Sequence, residues 1–261
     1  MRRLGVLGWP VAHSRSPAMQ NAALEALGFA GEWRYQLLPV PPDAFAATVR
    51  ALPADGFAGA NVTMPHKPAA LALATHATEA ARASGAANTL TFGPDGAIDA
   101  DNTDASGLID ALEGAPLGGR TALVVGAGGS ARGAAWALAR AGADVAVWNR
   151  TPERAGELAA DLGVRAVAAI GPADVLVHCT SIGLDGADAA AALGLDVAAY
   201  GTVVDLVYTL TGTPLIDAAR AAGATTVDGV EILVRQGARS LAHWTGRTPP
   251  LDVMRAAVVA G

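Results

Sequence analysis

Cysteine and lysine are almost missing from this 261-residue chain: there is one of each, Cys179 and Lys67. A single cysteine rules out an internal disulfide and any cysteine-based metal centre. The histidines, His13, His66, His76, His178 and His243, show no ligand spacing, so no metal site is expected. Charged residues make up only 16% of the chain, and the net charge is −6. With no basic cluster in view, a nucleic-acid partner is disfavoured, and an anionic ligand has to be met by local cations or backbone N–H groups. No apolar run is long enough to span a bilayer, because Arg132 and Arg140 interrupt the longest candidate. The opening MRRLGVLGWPVAHS has too short an apolar stretch for a secretory signal and reads as a first β-strand. The expectation is a soluble cytoplasmic protein with no membrane contact.

What is present is apolar material, 52% of the residues, enough for one large core or two modest ones. Seventeen of the eighteen basic residues are arginine. Against that background Lys67 stands out, because an amine can give up a proton and a guanidinium cannot.

The segment Leu4–Gly8 reads as a buried strand. Ser16 before Pro17 has the pattern of an N-cap, with a helix to Leu27 ended by Gly28. Strand-like Trp33–Leu38 follows, then a helix Pro42–Ala51, a strand Phe57–Val62 and a helix Lys67–Thr75. A second block begins near residue 104, with DNTD in position to cap a helix Ala105–Leu112. Its strands are Thr121–Val125, Asp144–Trp148, Val175–His178 and Thr202–Leu206. Its helices are Ala131–Ala141, Glu153–Leu162 and Thr213–Ala222, and a last helical stretch runs through His243. This alternation predicts α/β units on largely parallel sheets, arranged as two α/β domains flanking a cleft.

VVGAGGSARG follows a strand and opens a helix. Gly126, Ala127, Gly128, Gly129 and Ser130, with Ala131 in the third glycine position, form a GxGxxA variant of the dinucleotide fingerprint, in which glycines admit the pyrophosphate and the helix N-terminus faces it. After the next strand an NAD site would carry a carboxylate for the ribose hydroxyl. Here Asn149, Arg150 and Thr151 stand instead, with Arg154 one turn on. Two guanidinium groups and a hydroxyl suit a 2′-phosphate, so the expected cofactor is NADP(H).

The first block gathers polar residues near strand ends: Ser14 and Ser16, Asn61 and Thr63, Asn88, and Asp101–Asp104. Each alone reads as a cap or turn residue. Together they suit a polyhydroxylated acid. At this point the chain resembles the shikimate dehydrogenase family along nearly its full length. The matching stretches are GWPVAHSRSP, NVTMPHK, SGAANTL, DNTDASG, GAGGSARG, NRTPER, TSIG, VVDLVY with TPL, and DGVEILVRQGA with HWTG.

The resemblance implies an N-terminal substrate domain, 1–103 completed by the C-terminal helices 237–261, and a Rossmann-type NADP-binding domain, 104–236. It implies reversible NADPH-dependent reduction of 3-dehydroshikimate to shikimate, in aromatic amino-acid (chorismate) biosynthesis. Lys67 and Asp104 would form the catalytic pair. Ser14 and Ser16 would bind the carboxylate, while Asn61, Thr63, Asn88, Tyr208 and Gln236 would hold hydroxyls or line the pocket. The glycine turn and Asn149–Arg154 would hold NADP, with Leu206 and Gly229 near the nicotinamide and Glu79 in contact with the cofactor.

The chain departs from the family pattern at Arg15 and Gln20, away from the chemistry. It departs again at His178, where the family has asparagine, and at Thr209–Leu210, where it has Asn-Pro. These last two border the nicotinamide side. Rival readings are a quinate/shikimate enzyme, an aminoshikimate enzyme, and a non-catalytic NADP-sensing protein on the same scaffold. A methylene-folate dehydrogenase has a related architecture, which the Ser14/Ser16 and NRTPER stretches do not suggest. Partners are limited to the small-molecule substrate, and the protein is expected to be a monomer or homodimer.

Overall fold

The computed structural model describes residues 1–114 and 116–260. The chain divides into two compact units, Met1–Thr103 with Val234–Gly261, and Asp104–Leu233.

The first unit begins with β1 (Arg2–Gly8), α1 (Ser16–Ala26) and β2 (Trp33–Pro39). A 3₁₀ turn, Pro42–Ala44, runs into α2 (Phe45–Ala51) and then β3 (Phe57–Val62). Next come α3 (Lys67–Ala72), β4 (His76–Ala77), α4 (Glu79–Ser84), β5 (Thr89–Phe92) and β6 (Ile98–Asp101). Six strands form one sheet in the order β2-β1-β3-β5-β6-β4. The sheet is mixed, not simply parallel: β5 runs antiparallel to both β3 and β6. The reason is local. Only Gly93–Ala97 separates β5 from β6, with Gly96 at φ +75°, and so short a link permits a hairpin but no crossover.

The expected cap of α1 is corrected by the structure. Ser16 is already helical, and the preceding Arg15 supplies no side-chain cap. Instead the Ser14 hydroxyl oxygen accepts the Ser16 backbone N–H at 3.3 Å. The helix after DNTD, α5, spans Thr103–Ala111 and so starts two residues earlier than predicted.

The second unit holds β7 (Thr121–Val125), α6 (Gly129–Arg140), β8 (Asp144–Trp148), α7 (Pro152–Leu162), β9 (Arg165–Ala166) and β10 (Ala173–His178). It continues with α8 (Ala189–Leu193), β11 (Tyr200–Asp205), α9 (Pro214–Ala221) and β12 (Thr225–Val227). The strand order is β12-β11-β10-β7-β8-β9, and every pair is parallel. This is the doubly wound order of dinucleotide-binding folds, with the reversal between β7 and β10. Both faces of β7 are buried, which explains its unbroken apolar run. Ala122 and Val124 pack with Ala134 and Leu138 of α6, while Leu123 and Val125 pack with Leu215 and Ala219 of α9. Burying a leucine such as Leu138 contributes roughly 1.5–3 kcal/mol.

Two helices end the chain, α10 (Gly229–Thr245) and α11 (Leu251–Ala260). The division between units falls inside α10, so Gln236 belongs to the first unit, not to the stretch 104–236 drawn from the sequence. Trp244 of α10 donates its indole N–H to the Leu90 carbonyl at 3.1 Å. Gly59 makes that reach possible, since a Cβ there would lie 2.1 Å from the Trp244 indole nitrogen. Among the described residues, no helix is long and apolar enough to cross a membrane.

Candidate active site

The first unit collects its polar residues at the ends of β1 and β3 and along β5. Parallel pairing of β1 with β3 sets the Gly8 and Thr63 ends side by side. The Thr63 N–H donates to the Leu7 carbonyl at 2.8 Å, and Trp9 N–H donates to the Met64 carbonyl at 3.1 Å. Gly8 is required for this approach, because a Cβ there would meet the Thr63 methyl at 2.5 Å. Lys67 is the first residue of α3 and is half-buried. Its carbonyl accepts the Ala87 N–H at 2.9 Å, which sets it against the start of the GAANTL stretch. The preceding His66 is a structural anchor: it is buried, bonds to the Val40 carbonyl at 2.8 Å and stacks on Phe45 at 4.4 Å.

Asn88 sits at the centre of a buried polar network. Its side-chain oxygen accepts from the Thr103 N–H at 2.8 Å, the Thr103 hydroxyl at 3.1 Å and the Thr89 hydroxyl at 3.0 Å. Its amide donates to the Gln236 side-chain oxygen at 3.3 Å. The fold thus joins Asn88 and Gln236, which lie 148 positions apart.

Asn61 turns the other way. Its oxygen accepts the Tyr35 hydroxyl at 2.8 Å, and its amide donates to the Ser240 hydroxyl at 2.8 Å, the Asn88 carbonyl at 3.1 Å and the Thr89 hydroxyl at 3.2 Å. Its amide is thereby held within the unit, while its oxygen keeps a second lone pair beside the Tyr35 hydroxyl. Burial pushes the Tyr35 phenol well up, against a hydrogen bond from Ser16, so it remains a neutral donor. Tyr35 and Ser240 carry no motif of their own, and only their partners, distant in sequence, mark them as part of this network.

Below it, Asp101 joins three elements. It accepts the Thr78 hydroxyl at 2.5 Å, the Asn102 N–H at 2.7 Å and the His243 ring at 3.1 Å. Burial alone would raise the Asp101 carboxyl, but bonds from His243, Thr78 and Asn102 outweigh it and hold it below the usual range. The bond to Asp101 lifts His243 above its usual value, against its partial burial. Glu79 is the first residue of α4 and is exposed. Asp104 follows Thr103 directly, opens the second unit and lies in the first turn of α5.

The second unit carries the glycine turn between β7 and α6. Gly126 has φ +123°, and a Cβ there would come within 3.0 Å of the Cys179 carbonyl. Gly128 is the N-cap of α6 and supplies no side chain, so the N–H groups of that first turn meet no capping side chain. Gly128, Gly129 and Ser130 are exposed, with open space where a Cβ of Gly128 would stand. At the end of β8, Arg150, Thr151 and Arg154 are exposed, and the Asn149 amide donates to the Thr151 carbonyl at 2.9 Å. Neither arginine pairs with a carboxylate among the described residues, whereas Arg132 is held by Asp161 at 2.8 Å. A narrow turn, an uncapped helix start and two available guanidiniums fit a phosphorylated dinucleotide. Leu206 and Tyr208 follow β11. Gly229 packs against Val207 and Tyr208, since a Cβ there would stand 2.5 Å from the Val207 carbonyl oxygen and 2.6 Å from the Tyr208 Cα. No group of residues able to hold a metal ion occurs among those described.

Comparison with known proteins agrees along the whole chain. Residues 6–90 match the shikimate dehydrogenase substrate binding domain, residues 111–182 the shikimate / quinate 5-dehydrogenase model, and residues 229–259 the shikimate 5′-dehydrogenase C-terminal domain. An NADP(+) shikimate dehydrogenase of Acidiphilium cryptum is 45% identical, over 96% of this chain and 93% of its own length. The crystal structure of the Thermus thermophilus shikimate 5-dehydrogenase, in complex with NADP(H) and shikimate, is 39% identical with a TM-score of 0.88, covering 99% of this chain and 98% of that one. A 5-ketofructose reductase of Gluconobacter is 30% identical with a TM-score of 0.90, covering 98% and 97%, so the scaffold by itself does not name a substrate. With three family models in order and near-complete coverage of close relatives, the chain belongs to the shikimate dehydrogenase family.

Proposed function

We propose that this protein catalyses the NADPH-dependent, reversible reduction of 3-dehydroshikimate to shikimate, a step of chorismate and aromatic amino-acid biosynthesis. The observation that carries the reading is full-length likeness to NADP(+) shikimate dehydrogenases, in a chain that keeps Lys67, Asp104 and the Asn88–Gln236 pair. The proposal extends to a cytoplasmic enzyme that works as a monomer or homodimer.

In this reading Ser14 and Ser16 receive the substrate carboxylate. Asn61, Thr63, Asn88, Gln236 and Tyr208 hold the ring hydroxyls or line the pocket. The glycine turn Gly126–Ser130 takes the pyrophosphate, and Asn149–Arg154 takes the 2′-phosphate. Leu206 and Gly229 border the nicotinamide, and Glu79 is a further cofactor-binding residue. Bound NADPH supplies the hydride. Lys67 delivers a proton to the carbonyl oxygen as it becomes an alkoxide, and its positive charge stabilises that oxyanion. In the oxidative direction the amine takes the proton from the hydroxyl, which Asp104 orients.

The test follows absorbance at the nicotinamide band. Shikimate with NADP⁺ should turn over, and quinate or NAD⁺ should be much poorer. Absence of turnover on shikimate with NADP⁺ would overturn the reading, and a preference for quinate or an amino-substituted acid would rename the substrate.

A further inference from the structure

The ends of β10 and β11 carry a hydrogen-bonded set that the reaction described above does not use. His178 ends β10 and Asp205 ends β11, opposite each other in register, and both are fully buried. His178 Nδ1 lies 2.8 Å from Asp205 Oδ1, and its Nε2 lies 2.6 Å from the Thr180 hydroxyl. Asp205 also accepts the Val207 N–H at 3.0 Å and the Thr213 hydroxyl at 2.7 Å. The Thr180 oxygen accepts the Ile182 N–H at 3.2 Å.

The Asp205 carboxylate accepts all three of its bonds, so Nδ1 of His178 carries a hydrogen. Nε2 shares a hydrogen bond with the Thr180 hydroxyl, whose oxygen also accepts the Ile182 N–H. A single imidazole ring therefore ties the loop leaving β10, around Thr180–Ile182, to the loop leaving β11, around Val207–Thr213. Both loops emerge on the half of the sheet beyond the β7/β10 reversal. In a doubly wound fold that half serves the second mononucleotide of the cofactor.

We propose that His178 is a positioning residue for the nicotinamide: through Asp205 and Thr180 it sets the two loops against which that ring docks. Ring size is what matters. An asparagine amide reaches the position of Nδ1 and a glutamine amide that of Nε2, and neither spans both partners. The inference rests on the NADP reading given above.

The test measures NADP⁺ affinity by calorimetry, which needs no turnover, on the wild type and on Thr180→Val, His178→Asn and His178→Gln. Thr180→Val keeps its shape and loses only a hydroxyl on a half-buried loop, so it stands even if the histidine variants unfold. It should weaken NADP⁺ about tenfold, the loss expected for one well-made hydrogen bond, and leave shikimate affinity unchanged. The His178 Nδ1–H resonance should shift when NADP⁺ is added and stay in place with shikimate alone. Wild-type NADP⁺ affinity in Thr180→Val, or equal weakening of both ligands, overturns the proposal. A wild type that binds NADP⁺ but does not oxidise shikimate defeats the functional reading alone, and one that does not bind NADP⁺ defeats both.

Discussion

The side-chain oxygen of Asn88 accepts both the backbone N–H of Thr103, at 2.8 Å, and its hydroxyl, at 3.1 Å. Thr103 is fully buried, and the next residue is Asp104. The first unit thus holds the chain firmly one peptide bond before the proposed catalytic carboxylate. Thr103→Val should cost about 1–2 kcal/mol, because it leaves buried partners short of a hydroxyl. It should also lower kcat while leaving NADP⁺ affinity as it was. Thermal unfolding, steady-state kinetics and calorimetry read the three quantities, and full kcat in a destabilised variant would show that Thr103 serves the fold alone.

Lys67 gives the plainest test of the chemistry. Lys67→Ala should lose about 10²–10⁴-fold in kcat, the usual contribution of a positioned acid–base group, with little change in KM. Lys67→Arg should be nearly as poor, because the charge is kept but the proton is not released. Near-normal turnover in either variant would remove Lys67 from the proton-transfer step.

Cofactor choice should follow the arginines after β8. If each holds the 2′-phosphate as proposed, Arg150→Gln and Arg154→Gln each remove a charge-assisted contact worth about 1.5–3 kcal/mol, so kcat/KM for NADPH should fall roughly 10–100-fold. The value for NADH, which lacks the 2′-phosphate, should stay the same. A parallel fall with both cofactors would place the two side chains elsewhere in the reaction.

The Asp101–His243 pair predicts a pH window for stability. Asp101 is lowered in the folded protein, so its contribution is present above the ordinary carboxylate value of about 3.9 and disappears as pH falls through the lowered one. His243 is raised, so its contribution is complete below about 6.5 and disappears as pH rises through the raised value. The pair is therefore fully effective between about pH 4 and about 6.5. His243 is half exposed, which limits the gain to at most about 1 kcal/mol, or roughly 2–4 °C in Tm. Thermal unfolding of the wild type and His243→Asn should differ most inside that window and converge on its alkaline side. A constant difference across pH would contradict this assignment.

Some features were legible because their causes are local. Strands β7 and β8 were predicted at their observed bounds, since a strand buried on both faces reads as an apolar run closed by glycines. The glycine turn and the arginines after β8 were equally plain, being short segments whose chemistry depends on near neighbours. By contrast β5 and β6 were missed: TLTF and IDAD are four-residue strands with polar alternate positions, and the short turn between them made the first sheet mixed. Helix α11 lies within the C-terminal helices 237–261 that the resemblance implies, without bounds of its own there.

The family, the alternation of strands and helices, and the types of side chain at each strand end can be read from the residues alone. Which way those side chains face is set by the folded chain. Asn61 and Asn88 look alike in sequence, both polar and both near a strand end. Yet Asn61 binds Tyr35 and Ser240, which is 179 positions away, while Asn88 binds Thr103 and Gln236. The same holds for Ser14, which took the capping role expected of Ser16, and for His178, whose partner Asp205 is set opposite it by strand register. The physical reason is common to all three. A polar group's role depends on which donors and acceptors lie within about 3 Å of it, and at these sites the backbone geometry and the pairing of distant elements set those partners.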